Sequence, residues 1–182
     1  TKPCEKAINS TNKALNLVWG NPSSLHSLGI DAQIEVDEAR QLIAKSICAK
    51  EEEIIFTGSG TEANNTAIMS VLKSRKKKVI TTLIEHPSVL ETFKRLEDEG
   101  FEVVRLSCKK DGIIDLSELE KELDDNVCLV SIMLVNNEIG SVQPISEASK
   151  LIKKLAPNAL FHCDAVQGFG KMAINVNTLG VD

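Results

Sequence analysis

The chain has 182 residues, of which 42% are hydrophobic and 26% charged, with a net charge of −5. That balance suits a folded globular protein and argues against disorder, and the negative charge gives no support to a nucleic-acid surface. No apolar stretch approaches the length of a membrane span, so no membrane role is expected. The five cysteines are scattered, without a Cys-x-x-Cys pair, which favours free thiols in a reducing, cytoplasmic setting over a disulfide framework or a zinc site.

Residues 4–18 carry Ala7, Ile8, Ala14, Leu15 and Val18 at loosely helical spacing. Gly20-Asn21-Pro22-Ser23-Ser24 follows as a loop, because Pro22 disfavours the α region at Asn21. His26 then reads as a surface histidine. Val36, Ala39, Leu42, Ile43, Ala44 and Ile47 place one apolar stripe on a helix over 31–48, with Asp31 as its cap. Residues 53–57 read as a short buried strand.

Thr57-Gly58-Ser59-Gly60-Thr61-Glu62-Ala63 opens another helix. A strand, a glycine turn with hydroxyls and a helix start together suit one phosphate group, since the first helical N–H groups point outward and the dipole favours negative charge. An ordinary turn capped by Ser or Thr is the alternative. Gly58-x-Gly60-x-x-Ala63 also matches the dinucleotide fingerprint, with Glu85 where a ribose-binding acid would sit. The basic run Lys73 with Arg75-Lys76-Lys77-Lys78 reads as a solvated helix end.

Residues 79–84 form the next expected strand, ending at Glu85-His86-Pro87-Ser88, and Pro87 suits the first turn of a following helix. His86 is thereby either a helix cap or a group that stacks on a planar ring and exchanges protons. A strand over 102–106, a turn at Asp111-Gly112, a short helix from Asp115 to about Leu123 and a strand over 127–135 come next. The last ends at Asn136-Asn137. A helix over 146–155 leads to a strand over 159–163, and this strand runs into Asp164. An apolar run that ends on an acid holds a carboxylate at the carboxyl edge of a sheet, where open α/β sheets bind ligands; a plain helix cap is the alternative. Strand and helix alternate throughout, so the expected fold is α/β, a three-layer αβα sandwich with a mostly parallel sheet, in a single partial domain over 1–182.

The strand ends thus collect a glycine-hydroxyl cradle, His86, Asn137, and Asp164 with Gln167. An anion hole, a stacking partner and a carboxylate for a ring nitrogen together match pyridoxal 5'-phosphate, whose chemistry needs a protonated pyridine nitrogen. The motifs 57–65, Glu85-His86, 135–140 and 162–167, with Gly20 to Ser24 and His26 before them, resemble the cysteine desulfurases of the class V aminotransferase group from end to end of the chain.

The resemblance implies roles. Gly60 and Thr61 would hold the cofactor phosphate, and His86 would stack on the ring and assist proton transfer. Asn137 would lie beside the ring substituents, Asp164 would pair with the pyridinium nitrogen, and Gln167 would donate to the phenolic oxygen. It also implies the large cofactor domain of a homodimeric enzyme that converts L-cysteine to L-alanine and leaves persulfide sulfur for an acceptor in iron–sulfur cluster or thio-RNA synthesis. The family's Schiff-base lysine and persulfide cysteine have no matching position here: Lys171 lacks the preceding His, and Cys4, Cys48, Cys108, Cys128 and Cys163 read as buried small hydrophobes. The chain is therefore expected to be an inactive fragment of the larger enzyme. Another class V enzyme (an aminotransferase, or a cysteine or selenocysteine lyase) and a nucleotide-binding module are the alternatives. No metal site is expected.

Overall fold

In the computed structural model, which describes residues 2–182, four parallel strands form one sheet. They are β1 (Lys78–Thr82), β2 (Glu102–Leu106), β3 (Val127–Ser131) and β4 (Leu160–His162), in the spatial order β2-β1-β3-β4. Two compact units divide the chain at Ile54/Ile55, and the sheet lies wholly in the second.

In the first unit, α1 (Glu5–Leu17) buries no residue and α2 (Ser27–Ile47) buries only Gly29, Ala32 and Ala44. Lys13 pairs with Glu35 at 2.5 Å to join the two. The cap of α2 is His26, not Asp31: its imidazole accepts from the Gly29 N–H at 3.3 Å. The helix consequently starts four residues earlier than the apolar stripe indicates. Glycine is required at 20 and 29, where an added Cβ would lie 2.1 Å from the Leu28 carbonyl oxygen and 2.2 Å from that of Ser24. Residues 53–57 form no strand. Glu51–Glu53 is a 3-10 turn, and Ile55 is 80% exposed, because no neighbouring strand among the described residues offers this segment a ladder.

The second unit builds outward from the sheet in both directions. Successive residues of a strand point to opposite faces, and the two cores follow that alternation. Val79 and Leu129 pack with Ile68, Val89, Phe93 and Leu96 of α3 (Gly60–Met69) and α4 (Pro87–Asp98). Ile80 and Val130 pack instead with Leu119 of α5 (Leu116–Glu122) and Ile145 and Ile152 of α6 (Ile145–Leu155). The result is the expected three-layer α/β arrangement. A four-residue helix, α7 (Val176–Leu179), was not expected; Asn175 caps it by accepting from the Asn177 and Thr178 N–H groups.

The remaining departures from expectation have local causes. The strand over 127–135 ends its ladder at Ser131, where its neighbour β4 ends; beyond this, single bonds from Ile132 N to the His162 carbonyl and from Leu134 N to that of Asp164 carry the pairing on. The basic run is a solvated helix end only at its start, where Lys73 closes a 3-10 turn and is exposed, as is Arg75. Lys78 is the first residue of β1, with its side chain only 9% exposed, and it pairs at 3.1 Å with both Glu122 and Asp124; Lys77 lies 4.0 Å above the Phe101 ring. Of the cysteines, Cys128 is buried and Cys163 half-buried, whereas Cys4, Cys48 and Cys108 are exposed.

The strand order fixes where a ligand can enter. The chain leaves β1 toward β2 through α4 on one face, and returns past β1 to β3 through α5 on the other. The connections diverge between β1 and β3, and beyond the carboxyl ends of those strands lies a crevice of the kind that binds ligands in open α/β sheets. The packing around Phe93, fully buried between helix and sheet, should dominate stability. Phe93→Ala is expected to cost about 3–5 kcal/mol in chemical denaturation, whereas Leu83→Ala, 57% exposed at the sheet edge, should stay within about 0.5 kcal/mol.

Candidate functional site

A cavity of about 230 Å³ opens at this crevice, lined among others by Gly60, Thr61, His86, Asn137, Asp164 and Gln167. All six residues that the sequence singles out for a ligand therefore meet in one place. They come from four segments that share only their position after a strand or at a helix start.

Gly60 and Thr61 open α3. Ser59 is the cap, its hydroxyl accepting from the Glu62 N–H at 3.2 Å, and the Glu62 carboxylate reaches back to accept from the Gly58 N–H at 2.7 Å. Ser59 thus caps the helix with its oxygen, and it is not one of the residues that line the cavity. The N–H groups of the first helical turn have no intrahelical acceptor and carry the positive end of the helix dipole. The capped-turn reading of the glycine turn is borne out, and Gly60 and Thr61 line the cavity.

His86 stands between β1 and α4, where it caps the helix. Its Nδ1 accepts from the Ser88 N–H at 3.1 Å and lies 2.8 Å from the Ser88 hydroxyl, while its ring lines the cavity. Asn137 is brought to the cavity by its neighbour. Asn136 is buried and donates to the Ile84 carbonyl, and its Oδ1 accepts from the Glu138 and Ile139 N–H groups, which fixes the turn.

Asp164 is 8% exposed, and no cation pairs with it among the described residues. Its Oδ1 accepts from the Val166 N–H at 3.0 Å and its Oδ2 from the Asn64 amide at 2.8 Å. Two N–H donors hold the carboxylate where a salt bridge is absent. Gln167 is oriented by Lys171, whose ammonium donates to its Oε1 at 2.9 Å; since an ammonium only donates, the Gln167 NH₂ is left to face elsewhere.

Sequence reasoning missed Asn64, Ser88, Met133 and Val166, which also line the cavity. Asn64 has one weak signal, a polar residue on the otherwise apolar side of α3. Met133 and Val166 sit in apolar runs and carry no signal at all. The other acid of the region, Glu85, lies behind the cavity wall. It is 5% exposed, and its Oε1 accepts from the Met133 N–H at 2.7 Å and from the Thr82 hydroxyl at 3.1 Å, which removes it from the role of a ribose-binding acid. Its Oε2 has no hydrogen-bond partner.

The two carboxyl groups are therefore held differently. Burial, above all, and the nearby Asp164 charge push Glu85 up to about 8, against the bonds from Met133 and Thr82. Burial, with Glu85 and Asp164 beside it, also raises the Cys163 thiol far above the ordinary range, so it stays protonated and unreactive. At the end of β4, next to Cys163 in the chain, His162 is pushed down by burial, its Nδ1 lying 2.8 Å from the Ser131 hydroxyl. No cluster of three or more His, Cys, Asp or Glu capable of holding a metal occurs among the described residues.

A raised carboxyl pKa has a definite sign in stability. Between about 4.5 and about 8 the folded chain keeps the Glu85 proton that the unfolded chain has released. This contribution to stability is fully present below about 4.5 and is lost as pH rises through about 8, at about 1.4 kcal/mol per pH unit over the window. Glu85→Gln, neutral at every pH, should flatten the fall of the melting temperature across that window; an unchanged pH profile would mean that Glu85 is ionised in the fold.

The family model described as Aminotransferase class-V matches residues 1–182. The cysteine desulfurase IscS of Dictyoglomus turgidum is 44% identical over all of this chain and 47% of its own length, and the mitosomal cysteine desulfurase of Trachipleistophora hominis is 46% identical over 90% of this chain and 38% of its own. Among solved structures, a NifS-like protein superposes with a TM-score of 0.95 at 37% identity, and SspA in complex with cysteine with 0.93 at 34% identity. Each covers the whole of this chain, which in turn covers 51% and 53% of them. The chain thus spans about half the length, or less, of the relatives it matches. On the match of the family model over its whole length, the chain belongs to the class-V aminotransferase family.

Proposed function

We propose that residues 1–182 form the cofactor-binding large domain, in part, of a pyridoxal-phosphate-dependent cysteine desulfurase. The observation that carries this reading is the pairing of two opposite chemistries in one cavity: the N-terminus of α3 at Gly60 and Thr61, suited to an anion, and the Asp164 carboxylate, suited to a cationic ring nitrogen. His86 supplies a planar ring in the same cavity, and Gln167 an amide whose oxygen is already engaged by Lys171. This donor set fits pyridoxal phosphate at both of its charged ends.

Pyridoxal phosphate, when bound, supplies an electron sink for reactions at the α-carbon of an amino acid. The residues of this chain would do the rest of the positioning. The first N–H groups of α3 bind the phosphate. Asp164, held by Asn64 and the Val166 N–H, keeps a proton on the ring nitrogen. His86 covers the ring face and keeps water from it, Asn137 lies beside the ring substituents, and Gln167 donates to the phenolic oxygen.

The substrate would be L-cysteine, in keeping with relatives named cysteine desulfurase and with a structural neighbour solved with cysteine. The cavity lining contains neither lysine nor cysteine, so the reading assigns the cofactor-bearing lysine and the persulfide thiol to sequence outside residues 1–182. The products would be L-alanine and a persulfide passed to an acceptor protein of iron–sulfur cluster or thio-RNA synthesis. The reading carries with it a homodimer in the cytoplasm, although one relative is named as mitosomal; no helix among the described residues is long and apolar enough to cross a membrane.

Absorbance titration with pyridoxal phosphate tests the reading. Asp164→Ala removes a charge-assisted partner and should weaken binding by at least about tenfold, whereas Gln167→Ala, which removes one neutral hydrogen bond, should cost about two- to tenfold. Equal affinities in parent and both variants would mean that the ring does not sit against Asp164.

A further inference from the structure

Four groups that line the cavity form one connected chain of hydrogen bonds. Asn64, 6% exposed, donates from its Nδ2 to Asp164 Oδ2 at 2.8 Å and to the Ser88 hydroxyl oxygen at 2.9 Å. The Ser88 oxygen lies 2.8 Å from His86 Nδ1, and the Ser88 backbone N–H donates to the same nitrogen at 3.1 Å. We infer that Asn64 and Ser88 are positioning residues of the cavity: they lock His86 as the Nε2–H tautomer, so that its ring meets the cavity as a hydrogen-bond donor, and they tie that ring mechanically to Asp164.

The direction of every bond in the chain follows from what each group is able to do. A carboxylate only accepts, so the Asn64 atom facing Asp164 is its nitrogen. The second N–H of that amide goes to the Ser88 oxygen. Ser88 then has its own hydroxyl hydrogen left to give, and His86 Nδ1 is the acceptor within reach. The helix cap imposes the same polarity independently, because a backbone N–H only donates and the cap of α4 needs Nδ1 as its acceptor. A proton on Nδ1 would set it against the Ser88 N–H, forfeit the cap, and turn the Ser88 hydroxyl away. Nε2 has no partner among the described residues, and it is the nitrogen left to serve the cavity. In a neutral ring whose Nδ1 accepts, the single proton is on Nε2.

His26 provides a comparison within the same chain. It also caps a helix through Nδ1, accepting from the Gly29 N–H at 3.3 Å, but no hydroxyl stands beside it. The lock at His86 is thus stronger than capping alone supplies. The tautomer does not depend on what fills the cavity; its bearing on a pyridine ring rests on the function proposed above.

Nitrogen-15 NMR of the histidine rings in the protein without added cofactor, near pH 8 where free imidazole is neutral, reads this directly. His86→Gln assigns the signals. The expected result is a pyrrole-like Nε2 and an Nδ1 shifted by hydrogen-bond acceptance further than that of His26. Ser88→Ala, and Asn64→Ala although it does not touch the ring, should relax the Nδ1 shift toward the His26 value, and Ser88→Thr should restore it. A proton on Nδ1 in the unsubstituted protein overturns the inference whether or not the variants fold. So does an Nδ1 shift that ignores both alanine substitutions in folded protein. A protein that shows the locked tautomer yet binds pyridoxal phosphate with the same affinity after Asp164→Ala overturns the proposed function and leaves this inference standing.

Discussion

The whole site depends on one constraint of parallel sheets: strands that run the same way end on the same edge. Here the chain reverses its direction of travel across the sheet between β1 and β3, so the connections leaving those two strands part to opposite faces. The gap between them is where the cavity opens. Residues following β1, β3 and β4 reach it without any special loop, and α3 approaches it end-on with its N–H groups first.

Within that gap the charge balance is set by donors rather than by cations. Asp164 is almost fully buried, yet two N–H groups take the place of a salt bridge. Glu85 sits close enough to feel the Asp164 charge and has one oxygen without a partner, and the balance there tips toward the protonated acid. Burial and an incomplete set of donors thus set Glu85 apart from Asp164, both of whose oxygens are engaged by N–H groups. The same environment silences the Cys163 thiol next to Asp164, which makes it a packing residue despite its position.

Helix caps do double duty around the cavity. Ser59 caps α3, whose first residues Gly60 and Thr61 line the cavity, and His86 satisfies α4 with one nitrogen while it lines the cavity too. A capping role and a ligand role are usually weighed as alternatives for such residues. In this fold they support one another, because capping is what fixes the orientation of the side chain that a ligand would meet.

Sequence alone determined the alternation of helix and strand, the parallel sheet, and the six residues that meet at the cavity, because each leaves a local mark: an apolar run, a glycine turn, a polar residue where a strand ends. It also determined β2 to the residue, since Glu102 to Leu106 is bounded by Gly100 and by the turn at Asp111-Gly112. Whether 53–57 pairs as a strand was beyond it, because a strand exists only with a neighbour. So was the burial of Lys78, which depends on Glu122 and Asp124 arriving from another crossover. Asn64 meets Asp164 across a hundred residues of chain, and Glu85 becomes a neutral acid only once Met133 and the sheet enclose it. Local pattern fixes which groups a chain carries to an edge; the tertiary fold decides their partners and the water left around them, and these set charge, tautomer and reactivity.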